Sequence, residues 1–359
     1  MIVTYVYPNE PESWENIEWR CRVPAAAINR SGIHKAHLLS ESEFSTNSND
    51  CIAACLESDL IVIYKKVYGK VITAIHHWQA REKTILVDFD EAYQLLDSDS
   101  DAYRFWFDGI QVNQENAIKY ISPAPMTQFK WGLKLVDGIT MPSNRLAKDW
   151  INFNEISIVP NYINLDSYTS DPHQNTKGKL VLGWHGRRSQ LTRFIEIGLY
   201  ESLEYLLKQS HAIELRLYLD DAYQEALPWK NGDQIKIIEY TNKEIWQSGL
   251  STIDLGLLPI AGDFDQRISM RTILEYMVMK IPWIASQSSA YHDLGEYGEI
   301  VENQSEAWKQ TLNDMIRHYQ NYQTNASQEA YLWGIGKSID ENIHRTIELY
   351  KKIIASKKS

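Results

Sequence analysis

With 359 residues, 44% of them hydrophobic and 23% charged, the chain is long enough for two α/β domains, each with its own core. A formal net charge of -11 argues against a protein that coats nucleic acid, because phosphate binding needs a basic stripe, although it leaves room for a local basic pocket. The three cysteines, Cys21, Cys51 and Cys55, do not form a disulfide framework, and neither a paired-cysteine nor a paired-histidine zinc pattern is present.

The first twelve residues, MIVTYVYPNEPE, read as a strand and a turn, not as a signal peptide. Residues 2–7 form a strand, 16–31 an amphipathic helix, and 36–39 a short second strand. Residues 40–50 are polar and loop-like. A short helix over 51–57 precedes the buried strand LIVIY at 60–64. A helix over 66–82 leads to a further buried strand at 84–89. The run DSDSD at 97–101 is a turn, and one missing glycine spoils its likeness to a calcium loop. Helices follow over 127–136 and 143–152, with a strand at 138–141 between them and ISIVPN at 156–161 after them. Residues 162–178, rich in Asn, Ser, Asp and Gly, break the pattern and read as an interdomain linker. Alternation then resumes, with strands at 179–186, 213–219, 235–240, 253–260 and 282–286 and helices over 190–209, 242–250 and 269–280. A mainly helical tail runs from about 305 to 353. Strand and helix in alternation, with continuously apolar strands, predict parallel sheets covered on both faces.

Two segments of the second half carry the pattern of a phosphate site. In 253–286 a buried strand ends at Pro259, a loop with Gly and Asp follows, and a helix begins near Ser269, a plausible N-cap. Arg271 falls in its first turn and Glu275 one turn later on the same face. Ligands of open α/β sheets bind beyond the carboxyl ends of the strands, where a helix start favours phosphate. Arg267 and Arg271 would add forked cationic donors, and a plain Arg271–Glu275 surface pair is the alternative. In LGWHGRRSQ at 182–190, Gly183 and Gly186 let backbone approach a ligand, Arg187 and Arg188 are placed to grip a diphosphate, and His185 sits inside the turn. Neither a dinucleotide fingerprint nor a Walker P-loop is present, which removes most of the support for NAD-dependent and ATPase readings.

Together these segments resemble the donor domain of glycosyltransferases of the GT-B fold, in particular the family 4-like group (glycosyl transferases group 1). The resemblance rests on Asp254 to Pro259, Arg267 to Arg271, Leu274-Glu275-Tyr276-Met277, Pro282 to Ser286 and the stretch 290–308. In the first half, 22–33, 84–93 and 136–163 also look like that group. The resemblance implies an α/β chain of two Rossmann-like domains facing across a cleft. An acceptor-side domain spans 1–161, a linker 162–178 and a donor domain 179–330, and 331–359 pack back on the first domain. It implies an enzyme, a hexosyltransferase taking a UDP- or GDP-sugar to a glycan or lipid-linked acceptor, retaining and without a bound metal or other cofactor. Glu275 would accept hydrogen bonds from the ribose, and Arg188 and Arg271 would face the diphosphate, with His185 as a third catalytic candidate. Gly183, Gly186, Arg187, Arg267 and Ser269 complete the donor set. Many relatives carry paired glutamates eight residues apart, and here Arg267 stands at the first position. Two alternatives follow: a decayed, non-catalytic binding module, and a nucleotide-sugar epimerase on the same fold.

On the acceptor side, Asp88 and Asp90 follow a buried strand as the metal-binding pair of single-domain transferases does, or mark the cleft, or are a solvated strand end. His77 is a third acceptor-side candidate, and Trp78, Trp106 and Trp184 offer either sugar-stacking faces or core packing. No apolar run is long enough to span a membrane, so the protein is expected to be cytoplasmic, with the basic end KKIIASKKS as either a peripheral membrane contact or a solvated helix terminus.

Overall fold

The computed structural model describes residues 1–9, 14–112, 117–168, 178–219, 229, 232–240, 242–267 and 269–358, with the side chains of 188, 189 and 358 outside the description. The chain divides into two compact units. The first comprises Met1–Tyr162, Arg267–Ser269 and Ile339–Ser359, and the second Ile163–Gln266 and Met270–Ser338. Near the C-terminus the change of unit falls between Ser338 and Ile339. Most of the expected linker, residues 169–177, lies outside the described residues.

The first unit contains strands β1 (Ile2–Tyr7), β2 (Lys35–Ser40), β3 (Leu60–Tyr64) and β4 (Thr84–Asp88). A small antiparallel hairpin, β5 (Ile110–Val112) and β6 (Ile118–Tyr120), was not legible in the sequence. Strands β7 (Gly138–Met141) and β8 (Ile156–Ile158) complete it. Among the described residues the main sheet is parallel, in the order β2-β1-β3-β4-β7-β8. Every residue of β3 and β4 is buried, as continuous apolar strands with helices on both faces require.

The expected helix over 16–31 spans Trp14–Arg30, with a π-helical turn at Glu18–Arg22. The expected loop at 40–50 is instead two capped helices. Ser40 and Glu43 form a reciprocal capping box on Glu41–Thr46, Asn47 closes that helix in the left-handed region, and Ser48 caps Asn49–Glu57. Cys51 and Cys55 face each other there, buried, with 3.8 Å between sulfurs. The last helix, Ile339–Lys358, belongs to this unit and buries Ile339, Ile343, Ile347 and Tyr350, a spacing that keeps them on one stripe. Full burial of such side chains contributes about 1.5–3 kcal/mol each. From the basic end, Lys357 Nζ donates to Asp137 Oδ2 and the Lys83 carbonyl, at 2.8 Å each, so this charge is committed to the unit's own surface.

The second unit contains β9 (Leu180–Gly186), β10 (Ile213–Leu219), β11 (Ile235–Glu239), β12 (Leu255–Leu258), β13 (Trp283–Ser286) and β14 (Glu299–Val301). They form a parallel sheet in the order β11-β10-β9-β12-β13-β14. The expected helix over 190–209 is broken at Gly198, which lies at φ +75 with Ser305 so close that a Cβ would fall 2.4 Å from its backbone nitrogen. Two helices result, Thr192–Glu196 and Leu199–Gln209.

Candidate functional site

In chain order the second unit's strands read 3-2-1-4-5-6, so the winding direction reverses between β9 and β12. Connections leaving those two strands go to opposite faces of the sheet and open a crevice at their carboxyl ends, the usual ligand position in doubly wound folds. His185, the penultimate residue of β9, lies at this edge and is buried. Its ring stacks on Trp246 with 3.9 Å between centroids, and Tyr240 meets it edge-on at 5.7 Å. Its Nε2 shares a hydrogen bond with Thr272 Oγ1 at 3.1 Å.

The helix Arg271–Val278 starts on the same side of the sheet, with half-buried Arg271 in its first turn and Glu275 one turn on. Glu275 is only 3% exposed, and a carboxylate so placed must have its oxygens hydrogen-bonded. Oε2 accepts from the indole N–H of Trp246 at 3.0 Å, and Oε1 from the hydroxyl of Tyr168 at 2.7 Å. His185 Nε2 lies 3.7 Å from Oε2. The structure thus brings together His185 and Glu275 of the expected site and adds Thr272, Trp246 and Tyr168, while Arg271 opens the helix that carries Glu275. Nothing in sequence separates Trp246, in the helix Lys243–Leu250 capped by Asn242, from an ordinary core tryptophan.

A second pair joins two short helices that follow β9 and β12, Thr192–Glu196 and Gly262–Asp265. Arg193 Nη2 engages Asp265 Oδ1, and the Ala261 N–H donates to Asp265 Oδ2 at 3.2 Å. Burial pushes the Asp265 carboxyl up, partly opposed by Arg193, and burial likewise pulls the Arg193 guanidinium down. Sequence reasoning passed over both residues, since neither belongs to a recognisable motif.

Several expected site residues do other work. Gly183 is buried inside β9, where an added Cβ would fall 2.3 Å from the Ile253 side chain, and its carbonyl accepts from Tyr276 Oη at 3.2 Å. At Gly186 a Cβ would fall 2.4 Å from the Trp184 ring. Both glycines therefore serve close packing. Arg187 is exposed, its backbone N–H donating to Gln190 Oε1 at 2.8 Å, and the side chain of Arg188 lies outside the described residues. Ser269 is not the N-cap of Arg271–Val278. Met270 occupies that position without a side-chain cap, and Ser269 Oγ accepts from Asn161 Nδ2 at 2.8 Å within the first unit. Arg267 also counts with the first unit, where its Nε and Nη2 reach Asp149 Oδ2 and Oδ1 at 2.9 and 3.3 Å. A two-pronged carboxylate partner commits this guanidinium within the first unit.

In the first unit, Asp88 ends β4 and is fully engaged. Arg20 Nε donates to its Oδ1 at 2.8 Å, Arg20 Nη2 meets its Oδ2 at 2.5 Å, and Thr140 Oγ1 adds a bond to Oδ2 at 2.6 Å. Burial alone would lower the Arg20 pKa, but the charge and hydrogen bonds of Asp88 outweigh it and the value rises. Asp90 accepts from Tyr64 Oη at 2.6 Å and lies 3.7 Å from Lys65 Nζ. Among the described residues, no group of three or more His, Cys, Asp or Glu is placed to hold a metal ion. His77 sits in the last turn of the helix Lys70–Gln79, which leads back toward the start of β4, so it lies at the edge of the sheet opposite to Asp88. Trp78 is 1% exposed and packs in the core. Among the described residues, no helix is long and apolar enough to cross a membrane.

No family model matches the chain, and no curated protein matches its sequence. Solved structures do match its fold. Sucrose-phosphate synthase from Thermosynechococcus elongatus is 12% identical, with a TM-score of 0.61 over 99% of this chain and 100% of that one. HepE from Anabaena, in complex with UDP and glucose, is 13% identical, with a TM-score of 0.62 over 97% of this chain and 99% of that one. The UDP-GlcNAc 2-epimerase from Neisseria meningitidis, bound to UDP-GlcNAc, is 12% identical, with a TM-score of 0.51 over 98% of this chain and 100% of that one. At such identities the likeness is one of fold, and the fold of this chain is the two-unit GT-B architecture.

Proposed function

We propose that this GT-B chain is a glycosyltransferase that moves a hexose from a UDP-linked donor to a glycan or lipid-linked acceptor, with the donor nucleotide at the carboxyl ends of β9 and β12. One observation carries the reading: His185 of β9 meets Thr272 and Glu275 of the helix Arg271–Val278 where the strand order reverses. The fold likeness to HepE, solved with UDP, supports uridine as the base.

In this reading Glu275 accepts a ribose hydroxyl, and Arg271 with the helix start faces the diphosphate. During transfer the bond from the sugar C1 to the diphosphate oxygen breaks, a bond from C1 to the acceptor oxygen forms, and the acceptor proton passes to the departing diphosphate. Negative charge grows on the departing UDP, and a fixed guanidinium and helix dipole offset it without reorganising. A retaining outcome and a metal-independent reaction belong to the same proposal.

Calorimetry with UDP, GDP and ADP tests it. UDP is expected to bind the wild type, and Glu275→Ala and Arg271→Ala to weaken binding at least about ten-fold each, the loss of one charge-assisted contact. Unchanged affinity in both variants overturns the assignment. Because the fold is shared with 2-epimerases, incubation with a UDP-sugar and no acceptor separates that second reading: an altered UDP-sugar, or a new free sugar with UDP, marks an epimerase.

A further inference from the structure

The two oxygens of Glu275 are not equivalent. Oε2 faces inward, to an indole that is 2% exposed and fixed in the core by its helix and by the His185 and Tyr218 rings. Oε1 faces a half-buried phenol, that of Tyr168, which follows the short turn Leu165–Ser167 and lies outside any long helix or strand. A ligand hydroxyl that reaches Oε1 from this side meets the Tyr168 phenol there.

We propose that Glu275 Oε1 is a hydroxyl-reading position and that Tyr168 is its placeholder, donating in the ligand-free protein the hydrogen bond that a ribose hydroxyl donates in the complex. This rests on the nucleotide reading of the site. A carboxylate that is 3% exposed cannot be left with an unmet oxygen between turnovers without a large desolvation cost. Tyr168 removes that cost. The swap is one neutral hydroxyl donor for another, so its net enthalpy is small, and the ligand's affinity is lowered by the competition with the phenol. A position of this kind favours a ligand that brings a neutral hydroxyl, because a ligand without one would lose the Tyr168 bond and replace it with nothing.

The test compares UDP with 2′,3′-dideoxy-UDP by calorimetry on wild type, Tyr168→Phe and Glu275→Gln, with thermal melts of the ligand-free proteins. Tyr168→Phe keeps the ring and loses only the donor. Its melting temperature without ligand is expected to fall, and its affinity for UDP to rise about five-fold, the weight of one competing hydrogen bond. Dideoxy-UDP has no hydroxyl to offer and leaves Tyr168 on Glu275, so its affinity is expected to stay at the wild-type value. UDP affinity unchanged or weakened in Tyr168→Phe, or both nucleotides tightening equally, overturns the placeholder. The nucleotide reading fails separately, if UDP does not bind the wild type or binds Glu275→Gln as tightly as the wild type, and the placeholder then fails with it.

Discussion

Trp246 donates its indole N–H to Glu275 Oε2 over 3.0 Å while its ring lies tilted against that of His185 with 3.9 Å between centroids, so one side chain fixes both a carboxylate and an imidazole. Trp246→Phe keeps an aromatic face and removes the donor. It is expected to cost about 1–3 kcal/mol in denaturant unfolding, the penalty of an unmet buried acceptor. It is also expected to weaken UDP binding, whereas Trp246→Leu, which loses the stacking as well, weakens it further.

Arg20 and Asp88 form a buried pair in which every oxygen of the carboxylate is used. Arg20→Met leaves that charge without its cation and is expected to cost about 3–5 kcal/mol in urea unfolding. Because Asp88 is spent on Arg20 and Thr140, millimolar manganese is expected to leave the melting temperature of the wild type unchanged.

Asp265 is buried and Arg193 half-buried, and burial penalises the charge of each, so their pairing compensates a cost that the fold itself imposes. Arg193→Met alone is expected to destabilise by about 3 kcal/mol, and Arg193→Met with Asp265→Leu to recover most of it. The raised Asp265 pKa adds a sign. The folded carboxyl holds its proton above the ordinary value of 3.8, so this group's contribution is largest in acid and falls as the pH rises through its folded pKa. The wild-type pH profile should carry that slope and the double variant should not.

Ser40 and Glu43 cap the helix Glu41–Thr46 reciprocally, with Ser40 N–H to Glu43 Oε2 at 2.7 Å and Glu43 N–H to Ser40 Oγ at 3.3 Å. Ser40→Ala is expected to cost about 1 kcal/mol. The side-chain hydroxyl of Ser40, then its backbone N–H, hold the Glu43 carboxyl below its usual 4.5. A depressed carboxylate contributes above its unfolded pKa and loses the contribution as the pH falls through the folded one. The stability gap between wild type and Glu43→Gln should therefore be full at neutral pH and narrow below pH 4.5.

Gly183 is a packing glycine. Gly183→Ala sets a Cβ 2.3 Å from Ile253 Cδ1 and is expected to destabilise by about 1–3 kcal/mol. Trimming the neighbour in Gly183→Ala with Ile253→Ala should relieve the clash, and the UDP affinity of the folded double variant should match the wild type.

Much of the site could be read from local pattern. A strand running into a glycine turn marked His185, and a strand, loop and helix start marked Arg271 and Glu275. The structure brings the histidine and the glutamate to 3.7 Å, although the segments are far apart in the chain. The Ser40-x-x-Glu43 capping signature was also present in the letters, but the polar run around it reads more readily as a loop. Trp246 and Tyr168 carried no signal, because a tryptophan on an amphipathic helix and a tyrosine beside a turn look alike whether they pack a core or hold a carboxylate.

Chain order, alternating strand and helix, and continuously apolar strands such as LIVIY follow from local physics, since burial on both faces of a sheet demands an unbroken apolar run. What each charge does was decided only in three dimensions. Arg267 pairs with Asp149, Asp88 with Arg20, and Asp265 with Arg193, and none of these partners is near the other in sequence. Coulomb attraction and desolvation depend on distance through space, so the letters announce that a charge exists while the folded packing determines whether it meets a ligand or another side chain.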